Sequence, residues 1–279
     1  MVENWRDYLE LCKPKVVALL LLTAVIGMFM ATPYMVPLDI LLFGTIGIGM
    51  AAGAAAVVNH VVDRRIDALM MRTDSRPIPQ GNVTPKQAII FASIMSAVSM
   101  SILYWLVNPI TAWLTLSGLV GYAFIYTMYL KRATPQNIVI GGISGAIPPL
   151  LGWTAVTGIN GEIPAHALLL VLIIYTWTPP HFWALAIHRR DDYAKADIPM
   201  LPVTHGIEFT KTCVLLYTIL LIITTVLPWL VGMSGMVYLV GAMILGLLFL
   251  RMSIKLKFGN DDKQAIKTFG FSITSLIFC

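Results

Sequence analysis

The sequence predicts an all-α protein: a polytopic transmembrane helix bundle of about nine helices with cytoplasmic catalytic loops. Three observations predict it. First, the 279 residues are 58% hydrophobic and only 12% charged, with mean hydropathy +0.80, whereas a soluble domain carries about 25% charged residues. Second, apolar stretches of about 20 residues, enough to span a hydrocarbon core of about 30 Å, recur along the chain. Third, no segment has the period-two alternation of a membrane barrel, which leaves helices to satisfy the backbone in lipid.

The predicted spans are 16–32, 39–58, 87–107, 110–130, 138–156, 166–186, 212–231, 236–250 and 268–279. Lys13 and Lys15 precede the first span as they would in a signal peptide. No A-x-A site follows, and many spans come later, so we read a retained helix. The ninth span has only about 12 residues; at about 1.5 Å per residue it cannot cross alone. Either the chain continues past Cys279 or this helix is short. A single domain, 1–279, is expected. Cys12, Cys213 and Cys279 are far apart and form no CxxC, which supports neither a zinc site nor a disulfide framework. Ile277-Phe278-Cys279 is not a CaaX ending.

Charge sets the topology. All 19 Lys and Arg fall in the N-terminal segment or in the loops after spans two, four, six and eight. The positive-inside rule therefore puts the N-terminus and these loops in the cytoplasm, in a multi-pass protein of the cell inner (cytoplasmic) membrane. The lipid bilayer is the partner this implies. Topology accounts for most of the net charge of +5, so no nucleic-acid partner is inferred. The outer loops are short. The inner loops after spans two and six run to roughly 25 residues each, and long loops in compact proteins tend to carry function.

The first long loop begins at the end of span two with Asn59-His60-Val61-Val62-Asp63-Arg64-Arg65-Ile66-Asp67. Asn59, Asp63 and Asp67 recur at i, i+4, i+8, so on a helix they share one face. Two carboxylates and an amide oxygen are hard donors that suit Mg²⁺, which leaves room for substrate phosphates. Arg72 and Arg76 follow, again at i, i+4 if helical, and guanidinium forks hold phosphate oxygens in pairs. The bland alternative is a set of surface salt bridges of little worth. At the mouth of an apolar bundle the functional reading is preferred, because ionisable groups at membrane depth are costly.

Span six leads into Thr178-Pro179-Pro180-His181-Phe182-Trp183 and then Arg189-Arg190-Asp191-Asp192-Tyr193-Ala194-Lys195-Ala196-Asp197. Pro179-Pro180 is expected to break or kink the helix and free carbonyls near His181. Asp192 and Asp197 are candidate ligands from this second side, while Arg189, Arg190 and Lys195 can neutralise phosphate. Two such clusters can close around one metal-diphosphate group. His181 has two readings, a hydrogen-bonded structural residue or a group at an acceptor substrate. Gly49-x-x-x-Gly53 and Gly141-x-x-x-Gly145 are read first as tight helix packing, and alternatively as room for a flat or prenyl ligand.

The first motif resembles the N-x-x-x-D-x-x-x-D signature of UbiA-type intramembrane prenyltransferases. Within that superfamily the resemblance is to the branch that farnesylates haem. It is carried by Lys13-Pro14, Arg72-Thr73, Arg76-Pro77, Tyr126-Thr127-Met128-Tyr129-Leu130-Lys131-Arg132, Thr134-Pro135-Gln136-Asn137-Ile138 and Gly141-Gly142. Further on it is carried by Gly145-Ala146-Ile147-Pro148-Pro149, Gly152-Trp153, Pro180-His181-Phe182, Asp192-Tyr193 and Ile198-Pro199-Met200-Leu201-Pro202-Val203. The match runs from about residue 8 to 275. It implies a Mg²⁺-dependent enzyme whose partners are farnesyl diphosphate and protoheme IX. Mg²⁺ would sit on Asn59, Asp63, Asp67 and Asp192. Arg72, Arg76, Lys131, Arg132 and Arg189 would hold diphosphate oxygens, His181 would contact haem, and the lipid tail would lie near Phe124 and Trp153. A haem A synthase or a terminal oxidase assembly is the implied protein partner. One departure stands: related enzymes show DxxxD in the second motif, and here Asp192 and Asp197 are five apart. The rivals are a UbiA-type enzyme with another aromatic acceptor, a transporter, which would place acids at midspan, and a haem-binding membrane protein without catalysis.

Overall fold

Helices carry the computed structural model, which describes residues 5–68, 70, 73–158, 163, 165–259 and 263–278; no strand occurs among them. Helix α1 (Trp5–Leu11) meets α2 (Pro14–Met30) at a 53° bend. The bend is built by Lys13, which takes a left-handed φ of 51°, followed by Pro14, whose missing N–H is harmless in a first helical turn. Then come α3 (Leu38–Asp67), α4 (Pro85–Val107), α5 (Pro109–Ala133), α6 (Asn137–Thr157) and α7 (Ala165–His188). Two short helices, α8 (Arg190–Lys195) and α9 (Leu201–Thr204), precede α10 (Ile207–Leu230), α11 (Met236–Phe258) and α12 (Lys263–Phe278).

Seven of these helices, α3–α7, α10 and α11, are long and apolar enough to cross a membrane, and the bent α1–α2 pair makes an eighth. The chain is a multi-pass membrane protein. The ninth expected span is α12. It starts earlier than hydropathy suggests, at Lys263, yet its 16 residues reach only about 24 Å. Lipid is legible in the side chains. Helix α4 exposes Ile89, Ile90, Ile94 and Val98 and buries Ala88, Ala92 and Ser99. That is the reverse of a soluble helix: large apolar groups face the tails and small ones let helices approach.

The chain divides into two compact units: Met1–Leu130 with Ile147–Ala167, and Lys131–Ala146 with Leu168–Cys279. In the first unit, α2 and the second half of α6 touch backbone to backbone. A Cβ on Gly27 would collide with the Pro149 backbone, and one on Gly152 with the Ala24 carbonyl. Only glycine permits such an approach. Buried polar groups bridge the helices. Asn108 Nδ2 donates to Thr154 O at 2.9 Å, Thr111 Oγ1 lies 3.0 Å from Thr154 Oγ1, and Ser99 Oγ donates to Gly47 O at 2.6 Å. In the second unit Thr176 pairs with Thr224 at 3.0 Å and Thr218 with Ser253 at 2.9 Å.

Three expectations are qualified by the structure. Of the break or kink expected at Pro179-Pro180, no break occurs: α7 runs through them to His188. They remove two N–H donors, and the hydroxyls of Thr176 and Thr178 bond back to Leu172 O and Ile174 O at 2.9 and 2.7 Å in the same stretch. The pair that does interrupt a helix is Pro148-Pro149, where α6 is broken at Ile147. Second, the chain from 73 to 83 forms turns, not helix, so the helical condition on the Arg72 and Arg76 spacing is not met at Arg76. Third, the two glycine spacings differ: a Cβ on Gly49 or Gly53 would come 3.1 Å from the Leu21 or Met95 side chain, in line with tight packing, whereas one on Gly145 would meet nothing within 4 Å among the described residues.

Candidate functional site

Helix α3 does not stop at the membrane edge near 58. It continues unbroken to Asp67, so Asn59, Asp63 and Asp67 share one face over two turns. All three are buried, with exposures of 4%, 1% and 3%. Such groups are paid for by hydrogen bonds and charge, and the local partners show how. Asn59 Nδ2 donates to Asp63 Oδ2 at 2.8 Å and to Thr127 Oγ1 at 3.3 Å. Asn59 Oδ1 accepts from Lys13 Nζ at 2.5 Å. Asp67 Oδ2 accepts from Arg76 at 2.6 Å.

The return of Arg76 is arranged by the turn after α3. Buried Thr73 donates its hydroxyl to Asp67 O at 2.9 Å, and the backbone N–H groups of Thr73 and Arg76 close successive turns on Met70 O and Thr73 O. The chain therefore doubles back and brings Arg76 to the end of the stripe. Arg72, expected beside it, lies outside the described residues.

This donor set fits a divalent cation. It offers hard oxygens from two carboxylates and one amide, and cationic nitrogens already meet it at both ends, Lys13 on Asn59 and Arg76 on Asp67. Among the described residues no three His, Cys, Asp or Glu side chains gather at metal-binding spacing. The two carboxylates and one amide oxygen are a donor set of the kind Mg²⁺ takes, since it uses one or two carboxylates and keeps positions for water and phosphate.

In the second unit Arg189 lies before α8 and its guanidinium reaches Asp192 Oδ2 at 3.5 Å. Arg190 donates to Pro202 O at 3.2 Å and lies 3.9 Å from Asp191. Asp197 is exposed, beyond the end of α8, with a left-handed φ of 52°. Asp192 and Asp191 are thus each approached by an arginine of the expected set, Arg189 and Arg190, and the Asp192 pair is the shorter. Lys131 is half-buried and Arg132 exposed at the end of α5; Asn137 Nδ2 donates to Lys131 O at 3.3 Å. His181 is enclosed by aromatic rings: Trp177 stacks at 4.2 Å and Phe269 at 4.5 Å, with Phe182 edge-on at 5.2 Å. Its Nδ1 lies 2.6 Å from Ser272 Oγ, and Trp177 Nε1 donates to Ser272 O at 2.9 Å. Helix α12 is thereby tied to α7 through one serine. Phe124, expected near the lipid tail, is 52% exposed, whereas Trp153 is buried.

Sequence reasoning missed three participants. Lys13 was visible only as a cation before a proline, Thr127 as part of a longer run, and Ser272 not at all. His60 adds a fourth feature: it is buried, and neither ring nitrogen has a partner among the described residues.

A multi-pass helical protein thus carries a buried Asn-Asp-Asp stripe with cations converging on it at membrane depth. Comparison with known proteins is specific. Residues 20–276 match the model of the UbiA prenyltransferase family, and the chain belongs to that family. It is 63% identical over 275 residues to protoheme IX farnesyltransferase of Alcanivorax borkumensis, covering 98% of this chain and 90% of that one. It is 60% identical over 274 residues to the protein of the same name from Marinobacter nauticus, with the same coverage. Among solved structures, digeranylgeranylglyceryl phosphate synthase superposes with a TM-score of 0.80 at 19% identity, covering 99% of this chain and 95% of that one. A UbiA homologue from Archaeoglobus fulgidus bound to DMAPP and Mg²⁺ gives 0.67 at 16% identity, covering 97% and 99%. These two likenesses speak to the fold.

Proposed function

We propose that this chain transfers a farnesyl group from farnesyl diphosphate to a vinyl group of protoheme IX, giving haem O and diphosphate. One observation carries the reading: a buried Asn59–Asp63–Asp67 stripe with converging cations, in a chain about 60% identical to proteins named protoheme IX farnesyltransferase. Asn59, Asp63 and Asp67 would hold Mg²⁺, and the resemblance adds Asp192. The metal would supply Lewis-acid neutralisation of the diphosphate.

The residues do the rest. Arg76 supports the leaving group electrostatically, with Arg72, Lys131, Arg132 and Arg189 as further oxygen-holding candidates. The farnesyl C1–O bond breaks and its electron pair leaves on diphosphate. The resulting allylic cation takes the vinyl π electrons, forming a C–C bond and leaving positive charge on the carbon next to the porphyrin. Water adds there and loses a proton, giving the hydroxyethylfarnesyl side chain. His181 is the candidate haem contact. The N-terminus and the basic loops would face the cytoplasm, and a haem A synthase or terminal oxidase would receive the product.

The test is incubation of membranes containing the chain with protoheme IX, farnesyl diphosphate and Mg²⁺, followed by mass analysis for haem O. Product that disappears with Asp63→Ala supports the reading. Absence of product with folded, abundant protein refutes it.

A further inference from the structure

The amide of Asn59 can be oriented from its partners alone. Oxygen and nitrogen of an amide are told apart by their hydrogen bonds. One Nδ2 hydrogen goes to Asp63 Oδ2 at 2.8 Å; with the amide reversed, oxygen would face carboxylate. On the other side Lys13 Nζ meets Oδ1; reversed, NH₂ would face ammonium.

Among the described residues the second Nδ2 hydrogen goes to Thr127 Oγ1 at 3.3 Å. That hydroxyl cannot also donate to Asn59, because its own hydrogen goes to Tyr122 O at 2.8 Å. Tyr122 is five residues earlier, the carbonyl spacing of a π-helix, and residues Gly121–Leu130 of α5 are a ten-residue π segment. Thr127 itself is completely buried. The π segment thus presents an acceptor, with its donor already spent, to the amide beside the acidic stripe.

We propose that Thr127 is a positioning residue of the diphosphate–metal site: through the π-helix geometry it locks Asn59 so that Oδ1, and not Nδ2, faces the cation side of the stripe. The inference rests on the reading of that site given above. Both Nδ2 hydrogens are committed, so the oxygen is the one amide atom left to face positive charge, as it faces Lys13. Without Thr127 the amide keeps its Asp63 and Lys13 bonds, but where a metal ion takes Oδ1 from Lys13 only the Asp63 bond would hold it, and the amide can then rotate and turn a donor toward the cation in part of the population.

The test uses the full chain in detergent, with Mn²⁺ as a paramagnetic probe and inorganic diphosphate present. Mn²⁺ affinity is read by electron paramagnetic resonance, separately from turnover. Thr127→Val, which keeps shape and removes the hydroxyl, is expected to weaken Mn²⁺ binding about five- to tenfold, the weight of one net hydrogen bond. Thr127→Ser should stay within about twofold of the original. The deciding comparison places Thr127→Val in an Asn59→Asp background. A carboxylate has two equivalent oxygens and needs no orientation, so there the penalty should shrink to under about twofold. A structural role for Thr127 predicts the same penalty in both backgrounds, and that result overturns the proposal. Unchanged Mn²⁺ affinity in Thr127→Val also overturns it. If Thr127→Val does not fold, Thr127→Ala serves the same cycle. Absence of Mn²⁺ binding by the unaltered chain overturns the site reading itself, and with it the inference.

Discussion

Removing Arg76 separates the two roles of the Asp67 pair. The Arg76→Ala change takes the cation from a carboxylate whose side chain is 5% exposed, while Arg76 itself is 20% exposed. Breaking a fully buried pair from one side costs about 3–5 kcal/mol. Water reaches the Arg76 side, so about 2–3 kcal/mol is expected here. For a chain of this size that lowers the melting temperature by on the order of 5–10 °C. Removing both charges, in Arg76→Met with Asp67→Asn, leaves no orphaned ion and should recover most of the loss. Activity should behave differently. Arg76→Ala should lower farnesyl transfer by about 100-fold or more, the scale of one preorganised electrostatic group. The double variant should remain as inactive. The assay pairs thermal unfolding in detergent with product formation in membranes. A single variant melting within about 1 °C of the original, or a double variant less stable than the single one, would refute the buried-pair reasoning.

Three other outcomes are expected. Asp63→Ala should abolish product while the protein still folds, because Asp63 joins Asn59 and the acidic stripe; normal turnover would remove the stripe from the mechanism. Gly152→Ala should destabilise by about 1–3 kcal/mol or more, since the new methyl meets the Ala24 backbone in a packed interior, whereas Gly145→Ala should be nearly neutral; equal melting curves would contradict the close α2–α6 approach. Chelation of divalent ions should stop turnover reversibly, with Mg²⁺ restoring it; activity that survives thorough chelation would rule out a metal on Asn59, Asp63 and Asp67.

Much of this was legible because lipid imposes a simple code. Long apolar runs located most of the spans, though α3, α10, α11 and α12 extend beyond them by five residues or more, and the i, i+4, i+8 spacing foretold the shared face of Asn59, Asp63 and Asp67. What hydropathy could not foresee was that α3 stays helical well past its apolar stretch, because helix continuity there depends on buried polar partners. Contacts far apart in sequence were also hidden. Lys13 lies 46 residues from Asn59, Thr127 lies 68 away, and Ser272 lies 91 from His181. Nothing local marks such pairings. The prolines misled for a physical reason. Pro179-Pro180 has the composition of a break, but a packed helix tolerates lost N–H donors when neighbours hold it in place. Pro148-Pro149 opens a new helical turn instead, where lost donors matter least.

The π segment also makes the site a matter of chain length. A π turn holds more residues than an α turn, so one residue could be deleted from 121–130 and the segment could relax into ordinary α-helix. Such a deletion ahead of Thr127 would spare every side chain of the acidic stripe. It would also leave Thr127 near Asn59, because five α residues carry the chain around the axis nearly as far as six π residues do. A relative that winds this stretch as α-helix without the gap would instead turn Thr127 away by about 100°, keeping the whole Asn-Asp-Asp motif while losing its geometry. For this family an alignment gap within α5 is as informative as a substitution in the motif itself.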